Sequence, residues 1–419
     1  LTVYNDPLYC LVMEGFLKLA AVFIAIIIAL RKNIFVGYIL LFAGLATALL
    51  FGASLQKILI GYRDVVLSLN FLRIQAIIIL ITFLGRILKD IGYLDRLVSA
   101  SRDLLGGART SAAMLPLLVG MMPMPGGAIL SAPLVGQILP QEKYTPEFAA
   151  AVNYWSRHVI EFWWPVYPGI ILAAALTQMP IGTMALMQLP MTFIMLPVGF
   201  IFMIRKIKEK GDGSGHFWKP LGKTLLGIWP ILLAILIYAA TPIHLVFAII
   251  ISIALLIFLE KPATSIVKAA AKQALAPRLF ALVFGIMSFQ KMLEISDAVN
   301  SIPEMAGQLG LPDTAVIIAV AFISGMLTGM LAALVGLSYP ILAGYLYQPE
   351  LNYNNIFLAF TAGYLGMMLS PTHFCLILTN EHFKARLAGV YRHLTVPLII
   401  VFLVAFLLYV LGYPWRLFG

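Results

Sequence analysis

Charge is scarce in this chain: only 11% of its 419 residues are Asp, Glu, Lys or Arg, with 18 acidic residues against 28 basic ones. At 62% hydrophobic residues and a mean hydropathy of +0.98 there is too little polar surface to cover a soluble globule, so the chain reads as an integral membrane protein. Cysteine is equally rare. Cys10 and Cys375 lie far apart in apolar surroundings, so neither a disulfide framework nor a cysteine metal site is expected. There is no His-Glu-x-x-His and no Walker-type glycine loop, which argues against a zinc hydrolase and against ATP-driven transport. Gly336-Leu337-Ser338 lacks the following glycine of a nucleophile elbow. No enzyme activity, no metal site and no cofactor is expected, apart from a sodium ion that exposed carbonyls could hold. The net charge of +10 is scattered through short loops, the pattern of topology-setting charge and not of nucleic-acid binding. Leu1 to Pro7 show no basic stretch ahead of an apolar core, so no removable signal peptide is expected.

What the chain has in abundance is apolar runs of about 17 to 25 residues, enough to cross about 30 Å of hydrocarbon. They fall near 15–31, 34–52, 70–88, 146–178, 181–205, 219–239, 243–259, 276–294, 354–380 and 392–412. Two further apolar stretches, 109–139 and 314–345, are interrupted by Pro123-Met124-Pro125-Gly126-Gly127 and by Gly329 to Gly336, and read as re-entrant hairpins. The runs at 146–178 and 354–380 are also broken, by Trp164-Pro165-Val166-Tyr167-Pro168-Gly169 and by Ser370-Pro371-Thr372-His373. Proline removes a backbone donor and glycine tolerates open backbone. Such breaks are stable inside hydrocarbon only where protein or a water-filled cavity satisfies the freed groups. Two amphipathic stretches, 53–68 and 260–273, are too polar to span and read as lying along the membrane surfaces.

The motifs repeat. Leu130-Ser131-Ala132-Pro133 recurs as Leu337-Ser338-Tyr339-Pro340, and Trp164-Pro165 as Ser370-Pro371, at offsets of 207 and 206 residues. The chain therefore divides into 1–210 and 211–419. The first half holds helices over 15–88, hairpin 109–139, broken helix 146–178 and helix 181–205. The second holds helices over 219–294, hairpin 314–345, broken helix 354–380 and helix 392–412. Five crossings per half is an odd number, so the second half enters the membrane in the opposite sense. Arg31-Lys32, the basic cluster Arg86 to Arg109, Lys143, Arg205 to Lys210, Lys261 to Lys272 and Lys384 to Arg392 then share one side, which is cytoplasmic. The expected fold is an all-α polytopic membrane protein: an inverted repeat of two five-helix halves, two re-entrant hairpins and two broken helices, both termini outside.

Ionisable residues inside a bilayer are costly, roughly 2.5 to 3.5 kcal/mol at mid-membrane, and so point to function. They concentrate at Asn153, Arg157, His158 and Glu161, just ahead of the first break. Arg157 suits a bidentate grip on a carboxylate, with His158 or Glu161 as proton carrier. The competing reading is a structural Arg157–Glu161 pair at i, i+4, with His158 satisfied in the core. The second half offers Thr328, Ser338, Thr361, Ser370, Thr372 and His373 and no acid. Such hydroxyls commonly bond their own backbone, although the repeated pair Ser131 and Ser338 carries more weight. The substrate set is therefore Pro125, Gly126, Gly127, Ser131, Asn153, Arg157, Trp164, Ser338, Ser370, Thr372 and His373. The coupling-ion set is His158, Glu161, Gly336 and Pro371. Trp163 reads as part of an interfacial aromatic belt, whereas Trp164 and Tyr167 flank Pro165 and could line the cavity.

The motifs Met122-Pro123-Met124-Pro125-Gly126-Gly127-Ala128-Ile129-Leu130-Ser131-Ala132-Pro133 and Leu369-Ser370-Pro371-Thr372-His373-Phe374-Cys375 resemble the ion-transporter superfamily of secondary carriers. That group includes dicarboxylate and citrate carriers and gluconate permeases, and within it the chain looks closest to a prokaryotic domain-of-unknown-function family. The resemblance spans nearly the full length. It implies a dimerising scaffold, a transport domain that moves as an elevator, and organic-anion substrates with proton or sodium coupling. The chain departs from the Ser-Asn-Thr hairpin tips of the dicarboxylate carriers, with Pro125-Gly126-Gly127 and Leu334-Val335-Gly336 instead, so backbone amides are expected to take the carboxylate there. The expected function is secondary active transport of a small organic anion across a prokaryotic cytoplasmic membrane by a homodimer. A passive channel, and a membrane-embedded enzyme or lipid-handling protein, are the alternatives.

Overall fold

The computed structural model describes residues 7–93, 96, 107–122, 127–208, 218–347 and 350–414. Among them every regular element is helical. In the first half these are α1 (Pro7–Arg31), α2 (Val36–Leu50), α3 (Leu55–Leu67), α4 (Leu69–Asp90), α5 (Ala108–Gly120), α6 (Ala128–Ile138), α7 (Pro146–His158), α8 (Pro168–Leu176) and α9 (Ile181–Phe202). The second half runs α10 (Trp218–Ala240), α11 (Leu245–Glu260), α12 (Thr264–Ala274), α13 (Pro277–Ile295), α14 (Ser301–Gln308), α15 (Asp313–Thr328), α16 (Leu331–Ile341), α17 (Ala343–Leu346), α18 (Tyr353–Met368), α19 (Phe374–Phe383) and α20 (Leu387–Val410).

Among the described residues, five helical stretches are long and apolar enough to cross a membrane: Met13–Arg31, Leu69–Asp90, Ile181–Lys206, Thr264–Ile295 and Leu387–Val410. The burial pattern is inverted relative to a soluble protein. Phe193 on α9 and Phe258 on α11 are 64% and 73% exposed, while Asn153, Arg157, His158, Ser338 and His373 are buried. Apolar side chains outside and polar ones inside are what a hydrocarbon solvent selects.

Local chemistry explains the helix starts. Thr145 caps α7 by accepting from the Phe148 N–H (3.2 Å), with Pro146 at the first helical position. Asn352, 207 residues later, caps α18 by accepting from the Asn355 N–H (3.0 Å). Helix packing follows the same correspondence. α2 packs on α13 as α11 does on α4, α5 on α7 as α15 on α18, and α6 on α19 as α16 on α8. Glycines set the tightest of these approaches. A Cβ at Gly285 would lie 2.0 Å from the Gly37 carbonyl oxygen, and one at Gly366 would lie 2.1 Å from that of Phe322. Small residues allow backbones to approach this closely where lipid offers no hydrophobic drive for helix association.

The breaks differ in detail from the sequence expectation. The first opens at Val159, ahead of Trp164: Pro165 bars regular helix only over the turn just before it, and the earlier stop is held by side-chain donors to the carbonyls of His158 and Val159. Glu161 therefore lies within the break and not ahead of it. The second hairpin is interrupted only at Gly329 and Met330, where Gly329 adopts a left-handed conformation (φ +60°) that ends α15. Helix resumes at Leu331, so Gly336 is a helical residue on α16 with its Cα against the Ile286 side chain.

Candidate functional site

Helices that stop inside the molecule leave orphan carbonyls, and each stop here is met by a side-chain donor. Tyr364 OH donates to the His158 carbonyl (2.6 Å) and Thr192 Oγ1 to that of Val159 (2.6 Å), at the end of α7. Tyr154 OH reaches Met368 O (3.1 Å) and Tyr391 OH reaches Leu369 O (2.8 Å), at the end of α18. The first arm of each hairpin ends in the same manner. Trp164 Nε1 donates to Met121 O (2.9 Å) and Tyr167 OH to Gly120 O, while Ser370 Oγ donates to Met326 O (2.6 Å). Both breaks are thus fixed structures tied to the hairpins.

The same ties bring helix starts together in pairs: α6 against Arg157, α8 against α16, and the turn before α16 against the start of α19. Gly127, at the start of α6, lies under the guanidinium of Arg157: a Cβ there would be 2.6 Å from Nη1 and 2.9 Å from Cζ. Gly169 at the start of α8 packs against Leu331 at the start of α16. Gly329 packs against Thr372 and the backbone of His373, the residue before α19. Each start presents unpaired N–H groups and a positive dipole end. Arg157, only 4% exposed, adds a full positive charge to that field.

Beside Arg157 the two breaks meet through histidines. His158 Nε2 lies 3.0 Å from His373 Nε2, with the rings edge to face and their centroids 4.9 Å apart. His158 Nδ1 is 2.6 Å from the Tyr154 carbonyl oxygen, which can only accept, so Nδ1 carries the proton and Nε2 presents a lone pair. Glu161 Oε2 stands 3.5 Å from His158 Nε2. Because α7 ends at His158, the i, i+4 helical geometry expected for Arg157 and Glu161 does not form.

Of the residues singled out in the sequence, Gly127, Arg157, His158, Glu161 and His373 gather here. Asn153 is buried one turn earlier and donates to Thr379 Oγ1 (3.0 Å), again joining the halves. Trp164 and Ser370 hold the hairpin arms. Thr372 shares a hydrogen bond with Ser370 (2.9 Å), and both Pro371 and Thr372 are exposed beside the buried His373. Ser338 Oγ donates to the Leu334 carbonyl of its own helix (2.7 Å), a structural role. Ser131 is fully buried on α6, and Gly336 stands apart on α16. Pro125 and Gly126 lie outside the described residues.

Three participants were not singled out in the sequence. Tyr364 could have been found from the repeat, since it lies 207 residues from Arg157. Tyr154 is one helical turn before His158. Cys375 follows His373 by two residues, and His158, His373 and Cys375 each place one potential ligand atom within 4.8 Å of the others. No curated protein matches the chain. The family described as Protein of unknown function (DUF401) matches residues 16–411, almost the whole length, and the chain belongs to that family.

Proposed function

We propose that this chain is a secondary active carrier that moves a small organic anion, of the carboxylate class, across a prokaryotic cytoplasmic membrane. The observation that carries the reading is Arg157: a buried guanidinium held against the start of α6, beside the point where the two breaks meet. A planar guanidinium with backbone N–H groups around it matches a carboxylate both in charge and in geometry. Discontinuous helices whose N-terminal ends face an anion are how transporters build such a site at mid-membrane.

Alternating access in this reading comes from an inverted repeat. The matched packing of α2 on α13 with α11 on α4, and of α6 on α19 with α16 on α8, supports it. So does the likeness of the hairpin and break motifs to the ion-transporter superfamily. Two cavities with polar linings lie between α8, the second part of the first broken helix, and the helices α3, α4, α10 and α13 around its end. One of about 580 Å³ is lined by Asn70, Arg73, Gln178, Tyr238 and His244, and one of about 240 Å³ includes Asp64, Gln290, Lys291 and Glu294. The chain works as a homodimer with both termini outside, and coupling is to protons through Glu161 or to sodium at carbonyls of the breaks.

The test is a thermal-shift screen of the purified protein against small carboxylates, followed by counterflow of the best ligand in proteoliposomes. Arg157→Ala should abolish both ligand stabilisation and counterflow while the protein remains folded, and Arg157→Lys should restore little because it loses the bidentate fork. Unchanged uptake kinetics in Arg157→Ala would falsify the anion assignment. Non-saturable flux favours a channel, and a chemically altered product favours an enzyme. Imposed pH and sodium gradients separate the two coupling ions, and uptake indifferent to both refutes coupling.

A further inference from the structure

We propose that His158, His373 and Cys375, with Glu161 as fourth ligand, form a binding site for a transition-metal ion of the zinc class. The proposal shares Glu161 with the proton-coupling form of the transport reading, but its test is separate because it is read out without any organic substrate.

The three ligand atoms come from the two different halves of the chain. His158 closes α7, while His373 and Cys375 stand at the start of α19, 215 residues later than His158 in the case of His373. Nevertheless one donor atom from each lies within 4.8 Å of the other two. A tetrahedral zinc ion with bonds of about 2.0 to 2.3 Å places neighbouring ligand atoms about 3.3 to 3.6 Å apart. The His158 Nε2 to His373 Nε2 separation of 3.0 Å and the His158 Nε2 to Glu161 Oε2 separation of 3.5 Å sit close to that spacing. Closing the three-residue group, whose atoms stand within 4.8 Å of one another, onto an ion takes shifts of about 1 Å, and Glu161, near His158 but outside that group, must swing toward the other two ligands.

Two features distinguish this from a chance cluster. First, the His158 tautomer is fixed for ligation: its Nδ1–H is held by the Tyr154 carbonyl, so the Nε2 lone pair faces the other ligands. A backbone carbonyl on the far nitrogen of a histidine is the usual outer support of a metal site. Second, the charges balance. A divalent ion with one thiolate and one carboxylate is neutral, so the ion can be buried beside Arg157 without adding net charge. Binding forms the metal–sulfur bond and releases the thiol proton to water. Imidazole and thiolate together select zinc and its borderline-soft neighbours over magnesium or calcium. Because His158 belongs to the first break and His373 to the second, the ion would clip the two halves together at the centre of the molecule.

The experiment uses the full chain in detergent, stripped with a chelator and then loaded with Co2+ or Zn2+. Wild-type protein should bind one ion per chain and show a thiolate-to-cobalt charge-transfer absorption in the near ultraviolet. Cys375→Ser should lose that absorption, whereas Cys10→Ser should keep it. His373→Ala and Cys375→Ser should weaken Zn2+ binding by more than the roughly 10- to 100-fold that loss of an outer-shell partner produces. Zinc should raise the thermal midpoint of wild type and leave that of Cys375→Ser unmoved. Absence of the cobalt absorption in wild type, or Zn2+ affinity in Cys375→Ser equal to wild type, overturns the proposal. The wild-type spectrum needs no variant to fold. Arg157→Ala with an intact cobalt spectrum and no counterflow would leave both readings standing. Loss of the spectrum with intact carboxylate transport would remove only this one.

Discussion

Two glycines touch Arg157, one at its guanidinium and one at its backbone carbonyl, and replacing each with alanine should disturb different properties. Gly127 has φ −55° and ψ −17°, a conformation alanine adopts freely, so the effect of Gly127→Ala comes from what its Cβ meets and not from backbone strain. The new Cβ would sit 2.6 Å from Nη1 and 2.9 Å from Nη2 of Arg157, and the guanidinium must swing away. If that group grips a carboxylate, the variant forfeits a charge-assisted hydrogen bond, about 1.5 to 3 kcal/mol, or about 10- to 150-fold in affinity. At Gly120 the new Cβ would lie 2.3 Å from the Arg157 carbonyl oxygen, a backbone atom with no freedom to rotate aside. Gly120→Ala should therefore lower stability by about 1 to 3 kcal/mol through overpacking between α5 and α7. Thermal midpoints in detergent, with and without the best carboxylate ligand, measure both quantities in one assay. Wild-type ligand affinity in Gly127→Ala would refute the idea that the guanidinium under Gly127 is the anion contact. A Gly120→Ala protein as stable as wild type would refute the close packing from which the site is built.

Other substitutions test the frame around the site. Tyr364→Phe removes the shorter of two hydrogen bonds to the buried His158 carbonyl, leaving the Glu161 N–H (3.3 Å), and should cost about 0.5 to 1.5 kcal/mol, read as a lower thermal midpoint; an unchanged midpoint would show that the tyrosine hydroxyl does not hold the end of α7. Gly366→Ala puts a Cβ 2.1 Å from the Phe322 carbonyl oxygen and should destabilise the α15–α18 pair by about 1 to 3 kcal/mol, again a midpoint measurement. Arg386→Ala removes the partner of Glu147, but the arginine side chain is 89% exposed, so the change should stay within about 1 kcal/mol. A larger loss would mean that this contact between α7 and the α19–α20 turn does more than decorate the surface.

The breaks were legible because proline and glycine are local signals: Pro165 and Pro371 announce a stop whatever packs around them. Where each helix ends was less legible. α7 stops at His158 and not at Trp163, because Tyr364 and Thr192, from distant segments, satisfy the carbonyls freed there. Gly336 was read as part of a hairpin tip from the density of small residues, but φ +60° is taken up at Gly329 alone and Gly336 serves helix packing against Ile286. The contact of His158 with His373 could not be read from spacing at all, since nothing in a 215-residue separation distinguishes that pair from any other two histidines. The surface inversion, by contrast, followed directly from composition, with Phe193 and Phe258 outside and Arg157 within.

The repeat and the site obey different rules, and Tyr364 shows why. It occupies the position 207 residues after Arg157, on the helix ahead of the second break as Arg157 is on the helix ahead of the first. Instead of a second charge it supplies a hydroxyl that donates to His158, the residue following Arg157. A second arginine there would place two like charges beside the same buried centre, where repulsion is weakly screened and each needs its own anion. The tyrosine avoids that repulsion and anchors the backbone that presents the guanidinium. The second half thus contributes helix starts, hydroxyls and His373, while the first contributes the cation. In the anion-carrier reading, the charge that meets the carboxylate thus comes from the first half, while the second half holds in place the backbone that presents it.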